Sequence, residues 1–395
     1  DALNKAFNAI VYRHEPLRQN ISCQSGTPVL LDPSDEFQFN IRVIDLSYET
    51  IDIQNKSITD SIYKELQQPF NLAKDLKIRA LLIKINKDRH ILSIFTHHIA
   101  WDGWSQNIFW KELKHFYNIN LSNNNTCEPL PELPIDYHDY VKWQHAIANS
   151  GSYRASLEYW KRHLDDTPPL NLNIDNPRPT LTTYQGKRYP LEIGTSVFQE
   201  LQKLSSRQGV TLQMTLLAAL EILLYQYSNQ EDFAIGVPTS GRDFAGTENL
   251  IGLFINTLII RSDVDDKITF IELLNRVKDT SINAYQHQQI PVEIIVDALK
   301  LVRQLNQPPL YQILFQLMQF QNDILDLDGI TSELTLSEMQ HVQHDLEFSL
   351  RQYDGFLRGA IAYNDDIFKR NTVAQFAAHY LYLLETIVKY PTHPI

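Results

Sequence analysis

Two adjacent histidines, His97 and His98, stand a few residues before Asp102 and Gly103 in the stretch HHIAWDG. An unperturbed imidazole titrates at about pH 6.5, so a histidine here could accept a proton near neutral pH. Two imidazoles and a carboxylate are also common ligands of divalent metals. The stretch therefore indicates either proton-transfer chemistry or a metal site.

The elements around the stretch distinguish these two kinds of site. Residues 90–97 place apolar side chains on both faces and predict a buried central strand, which the NKD turn at 86–88 precedes. Successive side chains of a strand point to opposite faces, so His97 and His98 cannot both reach one metal ion. We therefore expect no metal site, and we expect one histidine to face a cleft while the other supports it.

The residues after the histidines predict a tight loop that leads into a helix. Gly103 permits a positive φ or a close backbone approach at this turn, and Ser105 could cap the helix. Asp102 would then fold beneath the loop, where a buried carboxylate needs a cation or several hydrogen-bond donors. Arg13 and Arg18, in RHEPLR, are the partners that we favour.

Each of these residues has a structural explanation when it is taken singly. A histidine near a strand end is usually a satisfied structural residue, and an Asp-Gly pair usually forms a turn. The complete spacing HHxxxDG is far more specific than its parts, and it favours chemistry.

Composition narrows the class of protein. The chain has 395 residues, of which 43% are hydrophobic, so we expect two domains of an ordinary soluble type. A net charge of −12 without a basic stripe argues against a nucleic-acid partner. Two cysteines, Cys23 and Cys127, favour a reducing cytoplasm. The apolar stretch at 250–260 is too short to span a membrane, and we see no signal peptide.

Both halves of the chain mix the patterns of strands and helices, which predicts an α/β fold with α+β layering. The predicted elements that bear on the domains are a helical segment at 136–164, helices at 211–227, 268–284 and 366–388, and strands at 76–85, 232–237, 311–320 and 355–363.

HHIAWDG, followed by Trp104 and Ser105, resembles the central motif of the condensation domains of nonribosomal peptide synthetases. These share HHxxxDG with chloramphenicol-acetyltransferase-like acyltransferases. The resemblance extends in order along nearly the whole chain, through RHEPLR (13–18), IDYHDYVKWQ (135–144), GVPTSGR (236–242), IGLFINTLIIR (251–261), HQQIPVE (287–293) and PPLYQILFQ (308–316). The first motif of the family is absent, so we expect the chain to lack the start of a complete domain.

The resemblance implies two chloramphenicol-acetyltransferase-like lobes that form a V-shaped pseudodimer. The N-terminal lobe would be residues 1–135, a connecting helical segment 136–165, and the C-terminal lobe 166–395.

The resemblance implies amide formation. The amine of an acceptor aminoacyl thioester would attack a donor acyl or peptidyl thioester, each carried on the phosphopantetheine of a carrier protein. No intrinsic cofactor or metal is implied. The implied partners are the donor and acceptor carrier proteins and an adjacent adenylation domain, with no nucleic acid and no membrane, in the cytoplasm.

The resemblance also assigns roles to residues. His98 would be the catalytic histidine, as a general base or as a group that aligns the amine, and the backbone of Gly103 would assist it. His97, Asp102, Arg13 and Arg18 would be supporting residues. Trp143 and Asn256 would lie beside the channel or the lobe interface, and we expect Asn256 to bond across the cleft.

Other members of this superfamily remain alternatives. An epimerisation domain keeps HHxxxDG but abstracts the α-proton of one tethered residue. A stand-alone acyltransferase would use coenzyme A, although it would not readily explain RHEPLR and IGLFINT together. Non-catalytic recruitment domains of the same fold tend to lose the second histidine, so the presence of His98 and Gly103 argues against that class.

Overall fold

The computed structural model describes most of the chain, namely residues 1–24, 27–31, 37–121, 128–301, 306–318, 325, 327–333, 335 and 339–395. Cys127 lies outside the described residues. The chain divides into two compact units. The first comprises 1–146, 242–254 and the described part of 322–334, and the second comprises the described residues of 147–241, 255–321 and 335–395.

The first unit is built from the elements of the N-terminal part of the chain. They are α1 (Ala2–Arg13), β1 (Ile21–Gln24), β2 (Thr27–Leu30), β3 (Arg42–Asp45), α2 (Ile51–Gln67), β4 (Ile78–Lys84), β5 (His90–Thr96), α3 (Gly103–Leu121) and α4 (Tyr137–Ile147).

The second unit contains the remaining elements. They are α5 (Gly151–His163), β6 (Gln185–Ile193), α6 (Thr195–Gln208), α7 (Leu212–Ser228), β7 (Asp232–Thr239), β8 (Asn256–Asp263), α8 (Phe270–Gln286), α9 (Val292–Ala298), β9 (Ile313–Met318), β10 (Met339–His341), β11 (Leu346–Tyr353), β12 (Phe356–Asn364) and α10 (Arg370–Lys389).

The first unit contains a three-stranded sheet in the order β3-β4-β5, and the histidine pair directly follows β5. Strands β4 and β5 are antiparallel, and the predicted turn between them is confirmed, because the Asn86 side chain accepts the amides of Asp88 and Arg89 at 2.9 and 2.8 Å. The ring of Phe7 in α1 stacks on Phe39 and meets Phe109 of α3 edge-on, at centroid distances of 4.9 and 5.3 Å. This core fixes the start of α3 beside the end of β5.

The position of β5 differs from the prediction. It lies at an edge of the three described strands, with Phe95 as its one fully buried residue, whereas the sequence predicted a central strand buried on both faces. β4 is the central strand instead. Apolar residues on both faces report packing above and below a strand, but they carry no information about a neighbouring strand on each edge.

The second unit is organised around a seven-stranded mixed sheet in the order β10-β6-β12-β11-β9-β7-β8. Strand β9 runs parallel to both β11 and β7, and the other described pairs are antiparallel. Helix α7 is buried over the whole run from Met214 to Leu224, so it forms the centre of the helical layer on the sheet. The predicted α/β fold with α+β layering is confirmed.

The structure adds detail to the predicted organisation in two places. The helical segment predicted at 136–164 consists of two helices, α4 and α5. The segment 242–254 packs with the first unit, although the sequence assigned it to the C-terminal lobe, because Arg242 and Phe254 bond to Asp102.

No single helix of the described chain is long and apolar enough to cross a membrane, whereas α6 and α7, bent by 104° at their junction, would pass that test together on length and composition alone.

A buried carboxyl lies in the apolar helix α7. The Glu221 side chain is almost fully buried and faces the Ser262 hydroxyl of β8. Burial raises the pKa of Glu221 to about 8, and the contact with Ser262 offsets part of this effect. The carboxyl is therefore protonated at neutral pH in the folded chain.

The substitution Glu221→Gln is expected to stabilise the second unit increasingly as the pH rises. Between about pH 4.3 and pH 8 the unfolded chain has released a proton that the folded chain retains, so the free energy of unfolding of the native protein falls across this window. The advantage of the variant should grow by up to about 4 kcal/mol from pH 5 to pH 8, as measured by urea unfolding followed by circular dichroism. Glu385→Gln, at an exposed position of α10, is the control, and an advantage that does not change with pH would contradict the assignment.

Candidate active site

His97 is held by its own backbone neighbours. Its amide donates to the Lys77 carbonyl at 3.0 Å, and its Nδ1 accepts the Ile99 N–H at 3.1 Å. The ring meets Phe70 edge-on, with the centroids 5.8 Å apart. Burial, followed by the neighbouring charges of His98 and Lys77, lowers the pKa of His97. A neutral, anchored imidazole suits the supporting role that the sequence predicts.

His98 begins a short turn of 3₁₀ helix, His98–Ala100, and its side chain is exposed. Its carbonyl accepts the Trp101 N–H at 3.3 Å, which fixes the backbone of the turn. Among the residues that the structure describes, none forms a hydrogen bond with the His98 ring. The imidazole is therefore accessible to a substrate on a backbone that is held in place.

Asp102 caps helix α3. Its Oδ1 accepts the N–H of Ser105, in the first turn, at 2.8 Å and the Ser105 hydroxyl at 2.7 Å. In return, the Asp102 N–H reaches the same hydroxyl at 3.4 Å. The sequence predicted Ser105 as the capping residue. This prediction is wrong, because the helix begins two residues earlier, and the aspartate accepts one of the free amides of its first turn, that of Ser105.

The cationic partner of Asp102 is Arg242. Its Nη2 donates to Oδ1 and Oδ2 of Asp102 at 3.0 and 3.1 Å, and both side chains are almost fully buried. The backbone N–H of Phe254 donates to Oδ2 at 3.1 Å. Burial lowers the pKa of the Arg242 guanidinium, and the Asp102 carboxylate opposes this effect. The carboxylate thus has the several donors that its burial requires.

The environment of Arg242 compensates the rest of its charge. The guanidinium donates to the carbonyls of Thr247 and Leu250, the second at 2.8 Å. It also lies over the Phe254 ring, 4.1 Å from the centroid, and near Trp104, at 5.8 Å. Gly241, directly before it, has a φ of 62°, a conformation that favours glycine. The motif GVPTSGR therefore presents an arginine to Asp102.

The two arginines that the sequence favoured as partners of Asp102 have other contacts, so that prediction is wrong. Arg13 donates through Nε to Glu112 at 3.0 Å and also bonds the Pro131 carbonyl. The Arg18 guanidinium lies 5.7 Å from the centroid of the Tyr12 ring. The sequence indicated the need for a cation but could not identify one 140 residues away.

The histidine of the RHEPLR motif, His14, forms polar bonds in the core of the first unit. His14 is buried, and its Nδ1 accepts the Ile251 N–H at 3.2 Å. The proton is therefore on Nε2, which donates to Glu112 of α3 at 2.8 Å. Glu112 of α3 thus bonds to the end of α1 and to His14, and His14 in turn bonds to the segment around Ile251. The sequence analysis missed it, although a glutamate among the apolar positions of α3 was the available signal.

Segment 242–254 also contacts the start of α3 through two further polar bonds. The Trp104 Nε1–H donates to the Glu248 carbonyl at 3.0 Å, and the Ser105 hydroxyl accepts the Gly252 N–H at 3.1 Å. Together with the Asp102 contacts, these bonds fix the loop that carries His98.

Gly103 is the exposed first residue of α3. The sequence predicted either a positive φ or a close backbone approach here, and the positive φ is not observed, since the described glycines with positive φ are Gly209, Gly241, Gly246, Gly329 and Gly355. Helical backbone at Gly103 directs the loop straight into α3. Its catalytic role stays a prediction.

Trp143 packs in an aromatic cluster of the first unit. Its ring lies 4.9 Å from that of Phe244 and 5.8 Å from that of Tyr140, measured between centroids. Tyr137, in the same cluster, donates its hydroxyl to the Leu253 carbonyl at 2.7 Å, and burial raises its pKa. The described contacts of Trp143 are therefore packing contacts, and its role beside a channel stays a prediction.

Asn256 lies in the second unit and bonds within it. Its Nδ2 donates to the carbonyls of Gln288 and Ile290, both at 2.7 Å, and its Oδ1 accepts the Val292 N–H at 3.2 Å. The predicted bond across a cleft is wrong, because these partners of Asn256 all lie in its own unit. A buried amide needs partners, and the loop before α9 supplies them.

The similarity to known proteins extends along nearly the whole chain. The family described as Condensation domain matches residues 1–395. Gramicidin S synthase 2 of Aneurinibacillus migulanus is 31% identical over 392 residues, which cover 98% of this chain and 8% of that protein. This chain thus spans a small part of the length of that relative.

Two solved structures share the fold. The X-domain from teicoplanin biosynthesis has a TM-score of 0.85 and 23% identity, with 100% of this chain and 88% of that chain covered. The epimerization domain from the third module of tyrocidine synthetase B has a TM-score of 0.80 and 18% identity, with 99% and 89% covered. At these identities the likeness establishes the fold.

Loss of the buried ion pair is expected to destabilise the first unit. Arg242→Met leaves the Asp102 carboxylate buried without its cation, which should lower the free energy of unfolding by about 3–5 kcal/mol. Four of the five tryptophans lie in the first unit, so urea unfolding followed by tryptophan fluorescence reports mainly on it.

The matched control is Lys142→Met, which removes an exposed ion pair with Asp139 of the same unit and should cost less than about 1 kcal/mol. Equal effects of the two substitutions would contradict the role of the buried pair.

Proposed function

We propose, because the chain belongs to the condensation-domain family, that it catalyses amide formation between a donor acyl or peptidyl thioester and the amine of an acceptor aminoacyl thioester. The observation that carries the proposal is the His98 imidazole, which is exposed and forms no hydrogen bond with the described residues, on a loop whose backbone is fixed. A catalytic group for an external substrate needs this combination of access and rigidity.

His98 is proposed to act on the attacking amine. A neutral imidazole accepts the proton of the amine as the new C–N bond forms, or aligns the amine by a hydrogen bond. The C–S bond of the donor breaks, and the sulfur leaves as the thiol of the donor arm after taking up the proton that the amine has lost. A thioester is already activated, so the reaction requires no covalent nucleophile of the protein, and positioning supplies much of the rate.

The neighbouring residues are proposed to position His98. The His97 ring accepts the N–H of Ile99, so it is held against the loop backbone. His98 is therefore the histidine that we propose contacts the substrate. Asp102 acts through Arg242 and the start of α3 and does not touch substrate. The Gly103 backbone begins α3 directly beside the loop, where it is proposed to orient His98 or the reacting atoms.

The two thioesters are proposed to arrive on the phosphopantetheine arms of donor and acceptor carrier proteins. An adenylation domain of the same synthetase would load the acceptor carrier, in the cytoplasm. These partners are proposed from the family and from a relative that is a synthase many times longer than this chain.

Two alternatives share the fold, namely an epimerisation domain and a non-catalytic recruitment domain. Epimerisation also uses HHxxxDG, and the two are distinguished by their product. Recruitment does not require an accessible imidazole, so the exposure of His98 favours an enzyme.

The decisive experiment uses one carrier protein loaded with an N-acylated amino acid and a second loaded with an amino acid. With both carriers, the chain is expected to form the acylated dipeptide on the acceptor. His98→Ala should lower the rate of product formation by about 100-fold or more, because it removes the proton acceptor. His90→Ala, at an exposed position of the same strand β5, should retain the rate.

Product analysis separates the alternatives. A racemised donor without dipeptide would identify epimerisation, and carrier binding without either product would identify recruitment. A His98→Ala protein with the native melting temperature and the native rate would refute the assigned role.

A further inference from the structure

A buried lysine lies opposite the first histidine of the pair, on the neighbouring strand. Lys77 directly precedes β4, and the whole residue is buried. The register that pairs Ile78 of β4 with Thr96 of β5, continued by one residue, places Lys77 opposite His97, whose N–H donates to the Lys77 carbonyl at 3.0 Å. Residues directly opposite in an antiparallel pair present their side chains to the same face, with Cβ atoms about 4.5–5.5 Å apart. The Lys77 and His97 side chains are therefore cross-strand neighbours.

The contacts of Lys77 favour its charged form. Its Nζ donates to Oδ1 of Asn20 at 3.2 Å and to the Asp75 carbonyl. Burial lowers the pKa of Lys77, and the charge of Asp75 opposes this effect. An ammonium group is thus held beside His97 on the face that the two side chains share.

The His97 ring has a role that requires its neutral form. His97 caps the 3₁₀ turn that begins at His98, because its Nδ1 accepts the Ile99 N–H at 3.1 Å. A protonated imidazole carries a hydrogen on both ring nitrogens, so it cannot accept this bond. Protonation of His97 would therefore release the backbone of the turn that carries His98.

The other charges near His97 act in the same direction or have partners of their own. Burial lowers the pKa of His97 most, and the charges of His98 and then Lys77 add to this effect. Arg79, one position further along the same face of β4, lies over the Phe70 ring at 4.0 Å from the centroid, with its Nε 4.0 Å from a carboxylate oxygen of Glu65. Lys77 is thus the cation that stands directly opposite His97.

We propose that Lys77 is a positioning residue for the reaction at His98. Its ammonium keeps the His97 imidazole unprotonated, and the unprotonated ring keeps its bond to the Ile99 N–H. That bond holds the turn that presents His98. The inference rests on the proposed function of His98, and it adds a residue that lies outside the HHxxxDG motif. Lys77 acts through His97 and does not touch the substrate, because it is buried.

NMR titration of histidine side chains tests the first step without any carrier protein. In the native chain with ¹⁵N-labelled histidine, His97 is expected to titrate below the ordinary range and to carry its proton on Nε2 at neutral pH. The resonance is assigned by its loss in His97→Gln. Lys77→Met should raise the pKa of His97 toward its ordinary value, because it removes the like charge at nearly constant side-chain length.

The pH profile of condensation tests the second step, with the two loaded carriers described above. At pH 8 the Lys77→Met rate should lie within about twofold of the native rate, since His97 is neutral in both proteins. Between pH 8 and pH 6 the Lys77→Met rate should fall about threefold further than the native rate, because His97 gains a proton in the variant. A purely structural role of Lys77 would lower the rate equally at both pH values.

Two further variants serve as controls. Lys77→Arg retains the charge and should restore the native titration of His97 and the native pH profile. Lys74→Met removes an exposed lysine three residues before Lys77 and should change neither measurement.

Melting temperatures at pH 8 verify that each variant is folded, and the titration of the native chain decides the question where a variant is not. The inference is refuted by a native His97 that is protonated on Nδ1 at neutral pH, by an unchanged His97 pKa in Lys77→Met, or by equal effects of Lys77→Met and Lys74→Met. A raised His97 pKa in a chain that forms no dipeptide would support the hold of Lys77 on His97 and refute the proposed function instead.

Discussion

The ion pair of Asp102 with Arg242 is the interaction on which the geometry of the histidine loop depends. Burying a carboxylate and a guanidinium is costly, and it is tolerated only when nearly every donor and acceptor is satisfied. Here the carboxylate receives bonds from Arg242, Ser105 and the Phe254 amide. Two carbonyls accept N–H bonds from the guanidinium and the Phe254 ring lies against it, while the buried Nε of Arg242 has no partner among the described residues. Because these groups have one mutual arrangement, the start of α3 has one position relative to segment 242–254. Because the loop from His98 runs directly into α3, the fixed start of this helix also restricts the position of His98.

The two histidines differ because they lie on either side of a change of backbone conformation. His97 follows β5 with extended backbone and accepts the Ile99 N–H, whereas His98 begins the 3₁₀ turn, is exposed and has no hydrogen-bond partner among the described residues. Another histidine of the first unit, His14, is structural because Glu112 and a backbone amide use both of its ring nitrogens. Accessibility, more than residue type, separates a candidate catalytic imidazole from a structural one.

Local features of the site could be predicted from the sequence, and long-range ones could not. The turn at 86–88, the strand before the histidines and the helix after Gly103 follow from residue spacing over a few positions. The sequence also indicated correctly that Asp102 needs a cation and that Asn256 needs partners. It could not identify Arg242 or residues 288–292 as those partners. Hydrophobic pattern and charge show that a buried polar group needs a partner, but they do not show which distant segment provides it. Glu221 gave no signal beyond one acid in an apolar helix.

The 140 residues between Asp102 and Arg242 have a consequence for synthesis. A ribosome that adds roughly 5–20 residues per second needs on the order of ten seconds to travel from the aspartate to the arginine. During that interval Asp102 lacks the arginine that pairs with it in the folded chain, so its carboxylate stays hydrated. The first unit therefore finishes folding only after much of the second has been translated, so the order of assembly in the cell is not the order of the chain.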